Sequence, residues 1–381
     1  MNNNQYPYFD NNATTEIDAQ VLDVLNEYQK YYYANPSSTS HPSGMICNAL
    51  YQQHKQKIAD LLNVSENELI ITSGATESIN TAIKGIYFQY YKKKNHIISC
   101  KTEHSAVLKT LEYLQNFFGA DVTLLDVNEN GQINLDALER SIHENTLLVC
   151  LMLANNETGV IHPMEEIHKI TQKHRVLFFC DTTQAFGKTK ISKITADLFC
   201  GSAHKFYGPK GIGFLVIRNL SRKVFLHPLL HGGNQQEYRS GTIPLPLIAG
   251  LSKALELVFE QQDFIIQRIE ILRNNFEEQL KQIVPVKIHS EKSLRICNTS
   301  NVQFPFEYKA VLLRLMKKFC FSRASACSDG SGKPSHVLTA MGLTKNEVDL
   351  SFRFSFSKYN EESEMNLFFE ELVKSISEPN S

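Results

Sequence analysis

HIISCKTEHSAVLKTLEYLQNFFGADVTLLD, residues 96–126, holds the fold in miniature. It opens with a five-residue apolar run, HIISC (96–100), and closes with a second, VTLLD (122–126). Between them HSAVLKTLEYLQNFF (104–118) places Val107, Leu111, Leu114 and Phe118 at three- and four-residue steps. Short apolar runs read as strands and the periodic segment as an amphipathic helix. Strand, helix and strand in that order make the crossover that joins parallel strands. The alternation continues outward through ELIIT (68–72), LLVCLML (147–153), VLFFC (176–180), LFC (198–200) and GFLVI (213–217), with helical LDALERSI (135–142) among them. Runs that are apolar throughout belong in a sheet covered on both faces, which is the mark of parallel pairing. The expectation is an α/β protein, with a mostly parallel seven-stranded sheet in a large domain over residues 15–255.

Beyond residue 255 the texture changes. A long amphipathic stretch (248–283) leads into strand-like VPVKIHS, SNVQF and LSFRFS, interleaved with helical KAVLLRLMKKF and ESEMNLFFEELVKSI. This reads as a smaller α+β domain over residues 256–381, to which residues 1–14 are assigned.

Composition narrows the function. Thirty-nine basic residues against 40 acidic ones leave a net charge of -1, which argues against direct binding to nucleic acid or to an anionic membrane. No apolar run reaches the roughly 20 residues of a membrane span, and MNNNQYPYFD lacks the zones of a signal peptide, so a cytoplasmic location is expected. Eight cysteines without a Cys-x-x-Cys pair argue against a zinc site and against a disulfide framework. Cys100, Cys150, Cys180 and Cys200 lie inside apolar runs and read as small core residues.

In open α/β sheets ligands gather at the carboxyl ends of the strands, so the loops after each run carry the information. After ELIIT comes SGATESINTAIKG, where a turn at Ser73 and Gly74 opens a helix near Ala75. Its free N–H groups suit a phosphate, although Ser73 or Thr76 could equally be an ordinary cap. The next loops supply His104 (KTEHS), Asn155 (ANNETG), Asp181 and Gln184 (DTTQAFG) and Lys205 (GSAHK). A phosphate cradle, an acid, an imidazole and a lysine are together the parts a pyridoxal phosphate site requires.

In the same order along the chain stand YFDNNATT (8–15), NPSSTSHPSG (35–44), SGATESIN, EHSAVL, ANNETG, DTTQAFGK, SAHKFYGPKGIG, RSGT (239–242) and SACSDGSGKPSHVLTAMGL (325–343). This series resembles the cysteine desulfurases of the NifS/IscS group, within the class V pyridoxal-phosphate-dependent aminotransferases of fold type I. The resemblance implies Lys205 as the Schiff-base lysine, His104 stacked on the cofactor ring, Asp181 at its nitrogen and Gln184 at its hydroxyl. It implies Thr76, Ser202 and His204 at the phosphate with the backbone of Ala75. Thr242 would cross from the second subunit of a homodimer. Asn155 and Arg353, with Asn35, would hold the substrate carboxylate.

The residue that separates this group from other enzymes of the fold is Cys327. Six residues without a large apolar side chain (328–333) follow it, so it reads as an exposed nucleophile on a mobile loop, 327–333, rather than as packing. The implied reaction removes sulfur from L-cysteine, gives L-alanine and leaves a persulfide on Cys327 for a sulfur-acceptor protein, such as an iron–sulfur scaffold or a protein of tRNA thiolation or DNA sulfur modification. The alternatives are an aminotransferase or β-lyase of the same fold, including selenocysteine lyase, and a sulfur-delivery scaffold with a vestigial site. Three positions depart from the family's pattern. Ala324 and Ser357 stand where glycine is usual, and no Glu-Arg-Gly precedes RSGT.

Overall fold

The computed structural model describes residues 6–191, 193–219, 223–233, 235–323 and 334–377. Seven strands form the larger sheet: β1 (Leu69–Thr72), β2 (His96–Cys100), β3 (Asp121–Leu125), β4 (Thr146–Met152), β5 (Leu177–Asp181), β6 (Leu198–Ser202) and β7 (Gly213–Ile217). Their order is β1-β7-β6-β5-β4-β2-β3. Only β7 runs antiparallel to its neighbours, β1 and β6; the other pairs are parallel. Every residue of β1, β2 and β4 to β7 is buried, as their uninterrupted apolar character requires. β3 differs: it is an edge strand, and only Leu125 is fully buried.

Helices α1 (Ala19–Tyr31), α2 (Pro42–Leu61), α3 (Ala75–Tyr90), α4 (Ser105–Phe118), α5 (Leu135–Ser141), α6 (Met164–Lys173) and α7 (Leu245–Glu260) cover this sheet. Successive strand residues point to opposite faces, and the two cores divide accordingly. Ile97 and Phe179 pack with Ile79, Ile83 and Leu111 of α3 and α4, whereas Ile98 and Phe178 pack on the opposite face, in the core that takes in Val21, Tyr51 and Leu251 of α1, α2 and α7.

The second sheet is antiparallel, in the order β10-β11-β9-β8, from β8 (Lys287–Ile288), β9 (Thr299–Gln303), β10 (Ser322–Arg323) and β11 (Ser351–Ser355). It is accompanied by α8 (Gln262–Ile283), α9 (Lys309–Leu315), α10 (His336–Ala340), α11 (Lys345–Asp349) and α12 (Glu362–Ser377). Its core is a phenylalanine cluster that includes Phe276, Phe321, Phe354 and Phe368. Phe9 joins it, fully buried, with its ring 5.6 Å from that of Phe356. Single bridges from Tyr8 to Cys320 and from Asp10 to Ser355 fasten the N-terminal segment here, before residues 11–15 run to the larger sheet.

Details of the sequence reading shift. The amphipathic stretch 248–283 belongs to two helices, α7 and α8, that meet at Gln261. VPVKIHS supplies only the two residues of β8, because Pro285 has no N–H for a ladder. α10 begins after Ser335, whose hydroxyl accepts from the Leu338 N–H. Ser357 is not among the non-glycine residues with positive φ, so this backbone does not demand glycine there, and its hydroxyl bonds Asn360 Oδ1 at 3.3 Å.

Candidate active site

The turn after β1 is built for close approach. Gly74 has φ 149° and ψ -179°, a conformation that side chains resist, and it is the N-cap of α3 without any side-chain cap bond. A Cβ on Gly213 would lie 2.7 Å from Gly74 Cα and 2.5 Å from Gly201 O, so glycine at 213 lets β7 close against both. The Ser73 N–H bonds Glu77 Oε2 at 2.8 Å, and Glu77 in turn takes Arg239 Nε at 2.9 Å. With Glu77 so occupied, the first N–H groups of α3 face a cavity of about 670 Å³.

Ala75, Thr76, Ser202 and His204 line that end of the cavity. His204 Nδ1 lies 3.1 Å from Thr14 Oγ1, and burial, with the charge of Lys205 next, pushes the imidazole down to about 4. It is therefore neutral at pH 7. Positive dipole, hydroxyls and a neutral imidazole form a donor set that suits a phosphate ester.

The segment SAHKFYGPKG (202–211) brings Lys205 to the same cavity through a short 3₁₀ turn, Ala203–Lys205, at the end of β6. Lys205 Nζ donates to Asn12 O and Ala13 O, each at 2.7 Å. Burial lowers its amine to about 8; Arg353 adds to the effect, while Asp10 and Asp181 oppose it. An amine that sheds its proton so readily can add to a carbonyl carbon.

Asp181 closes β5 and accepts from the Thr183 N–H at 2.9 Å. Gln184 follows, donating from Nε2 to Asn12 O at 3.0 Å. His104 is the N-cap of α4; its Nδ1 accepts from the Ala106 N–H at 3.1 Å, which leaves the proton of a neutral ring on Nε2. Arg353, central in β11, reaches the cavity from the other sheet. Its Nη1 donates to Asn156 O at 2.9 Å, and its Nη2 to Asp10 Oδ1 at 2.6 Å and Ser322 Oγ at 3.3 Å. Its Nε is buried without a partner. Arg353 is thus a cation held in the cavity wall.

Of the residues expected from sequence, Lys205, His104, Ala75, Thr76, Asp181, Gln184, Ser202, His204 and Arg353 come together around this one cavity. Asn155 does not line it: its Oδ1 accepts from the Glu157 and Thr158 N–H groups at 2.9 and 3.0 Å, and its Nδ2 donates to Thr102 O. Asn35 is exposed and bonds the Ser37 N–H. Thr242 is exposed as well, away from the cavity of its own chain. Cys327, Ala324 and the segment 327–333 lie outside the described residues.

Sequence reading passed over several groups of the site. Asp10, Asn12 and Thr14 form a wall of it, and Lys188 is buried behind it. Glu157 lines the cavity and accepts from Ser335 Oγ at 2.5 Å; burial raises its carboxyl above the usual range. Glu103, beside His104, accepts from the Met152 N–H at 2.7 Å, while its backbone oxygen takes His336 Nε2 at 2.8 Å. The available signal was the motif series itself: Asp10, Asn12 and Thr14 stand in YFDNNATT, Glu157 in ANNETG and Lys188 in DTTQAFGK. Elsewhere, His96, Asp121 and His143 bring ligand-type atoms within 4.8 Å, but both His96 ring nitrogens already bond threonine hydroxyls.

The model of the aminotransferase class-V family matches residues 7–368. The chain belongs to that family. A class-V relative from Ehrlichia chaffeensis, named cysteine desulfurase IscS, is 38% identical over 97% of this chain and 90% of its own length. Among solved structures, a NifS-like protein superposes with a TM-score of 0.89 at 34% identity, covering 98% of this chain and 99% of its own. A second, described as SspA in complex with cysteine, gives 0.83 at 34% identity over 93% of this chain and 100% of its own. In this class-V chain the cavity described above stands at the carboxyl ends of the parallel strands β5 and β6, where the open α/β architecture places its ligands.

Proposed function

We propose that the chain is a cysteine desulfurase: with pyridoxal phosphate it takes the sulfur of L-cysteine, releases L-alanine and holds the sulfur as a persulfide on Cys327. The observation that carries this reading is the joint position of a half-buried amine, Lys205, a phosphate-type donor set and the Arg353 cation around one cavity. The relatives named cysteine desulfurase add the reaction class.

Residues and cofactor fit in kind. Ala75, Thr76, Ser202 and His204 would hold the phosphate, Lys205 the carbonyl carbon, Asp181 the ring nitrogen, Gln184 the ring hydroxyl and His104 the ring face. When bound, pyridoxal phosphate supplies an electron sink for the bonds at the substrate Cα. Arg353 binds the substrate carboxylate as a charge-assisted pair. The Lys205 amine, uncharged once its proton is shed, takes the Cα proton. His104, with its proton on Nε2, returns one.

Sulfur then moves from the substrate Cβ to Cys327. One C–S bond breaks and one S–S bond forms, the substrate carbon gains the proton that the thiol gives up, and no outside oxidant is needed. Cys327 is four residues beyond Arg323, which lines the cavity, and four extended residues reach about 14 Å. The persulfide passes to a sulfur-acceptor protein.

We assign residues 15–255 to a large cofactor-binding unit and residues 1–14 and 256–381 to a smaller one, supported by the burial of Phe9 in the second core. A homodimer in the cytoplasm completes the reading. The seven described cysteines are all unpaired, which agrees with a reducing compartment. No helix among the described residues is long and apolar enough to cross a membrane.

Single turnover without added reductant tests the proposal. Wild type is expected to give about one alanine and one protein-bound persulfide per cofactor, and Cys327→Ala at least about 100-fold less of both while still binding L-cysteine. Alanine formed by the variant at the wild-type rate would make Cys327 incidental and return the chain to the selenocysteine-lyase reading.

A further inference from the structure

Lys188 is 4% exposed, yet no carboxylate among the described residues lies within 4 Å of its Nζ. A lysine so placed has no ion pair to offset its burial, and burial drives its amine well below the ordinary lysine range. Its neighbours are two amides of the site. Nζ donates to Gln184 Oε1 and, at 3.4 Å, to Asn12 Oδ1. Gln184 Nε2 donates to the backbone oxygen of Asn12 at 3.0 Å, the oxygen that also receives Lys205 Nζ.

These contacts allow only one orientation of the Gln184 amide. A backbone oxygen can only accept, so the group facing Asn12 O must be the Nε2 amine. Oε1 is thereby turned to Lys188, which donates to it. Turning the amide over would set two acceptors together at Asn12 and take from Lys188 the oxygen to which it donates. One Nε2–H is taken by Asn12, and the other remains for the cavity that Gln184 lines.

We propose that Lys188 is a positioning residue for Gln184: it holds the amide so that an N–H, not the carbonyl oxygen, meets the ring oxygen of the bound cofactor and favours that oxygen in its ionised form. The proposal rests on the reading of the cavity as a pyridoxal phosphate site. A donor stabilises the ionised oxygen, so its loss lets the oxygen hold a proton to higher pH. The other titratable groups acting on Lys188 are Lys205, Arg353 and Cys297, whose thiol burial pushes up to about 12. All three stay in place when Lys188 alone is replaced, so the difference between variant and wild type reports on Lys188.

The experiment is a pH titration of the visible absorbance of cofactor-loaded protein without substrate, for wild type and Lys188→Met. The expected result is a midpoint raised by about one pH unit in the variant. A variant that binds cofactor with an unchanged midpoint, whatever its melting temperature, overturns the proposal and leaves Lys188 a packing residue. Wild type without visible absorbance after loading would instead sink the cofactor reading, and the proposal with it. Should Lys188→Met fail to fold, a crystal structure of loaded wild type decides, at a resolution that separates nitrogen from oxygen. Nε2 against the ring oxygen supports the proposal, and Oε1 there overturns it.

Discussion

Lys205 shows how a residue's surroundings become its chemistry. With its amine lowered to about 8, roughly one-tenth of the side chain is uncharged at pH 7, against about one in 3,000 for an ordinary lysine. Because only the uncharged form adds to a carbonyl, the rate at which cofactor-free protein captures pyridoxal phosphate should rise about tenfold from pH 7 to pH 9 and then level. Stopped-flow absorbance checks this; a rate still climbing nearly in proportion to hydroxide from pH 9 to pH 10 would show an unperturbed lysine. The candidates at strand ends, Lys205, Asp181, Gln184 and His104, were legible because a loop after an apolar run announces its own position. Asp10 was not. Its partner Arg353 is 343 residues away, and no local pattern marks such a pair.

At the scale of elements, the anion-binding turn depends on how near β7 can come to it. A methyl group at Gly213 would meet backbone on two sides, at 2.5 Å and 2.7 Å, where no flexible side chain can yield. Gly213→Ala is expected to destabilise the protein by about 1–3 kcal/mol and to loosen cofactor retention together with it. Denaturant midpoints and cofactor loss on dialysis measure the two effects; a variant as stable as wild type would mean that the turn relaxes freely. Strand and helix types were legible from period alone. The division of 248–283 between α7 and α8 was not, because residues on either side of Gln261 are amphipathic alike and only their different packing partners separate them.

At the scale of the whole molecule, Thr242 is exposed on its own chain although its neighbour Arg239 is tied to Glu77 at the start of α3. If Thr242 serves the other subunit's phosphate, Thr242→Ala should weaken cofactor binding about ten- to hundredfold, the worth of one hydrogen bond to a charged group. Mixing Thr242→Ala with Lys205→Ala chains should then recover tight binding in mixed dimers, each with one intact site. Mixtures that bind no better than their parts would place Thr242 outside the partner's site. Sedimentation at twice the chain mass of 43.4 kDa is the accompanying expectation. The sequence by itself determined the α/β class, the cofactor-type loops and their order, because strand period and loop chemistry are local properties. Only the tertiary structure decided that residues 10–14, Glu157 and Lys188 gather at the site to which the resemblance assigned Arg353. They are brought together by the passage of the N-terminal segment between two sheets, and contacts between distant parts of a chain follow from packing rather than from any spacing along it.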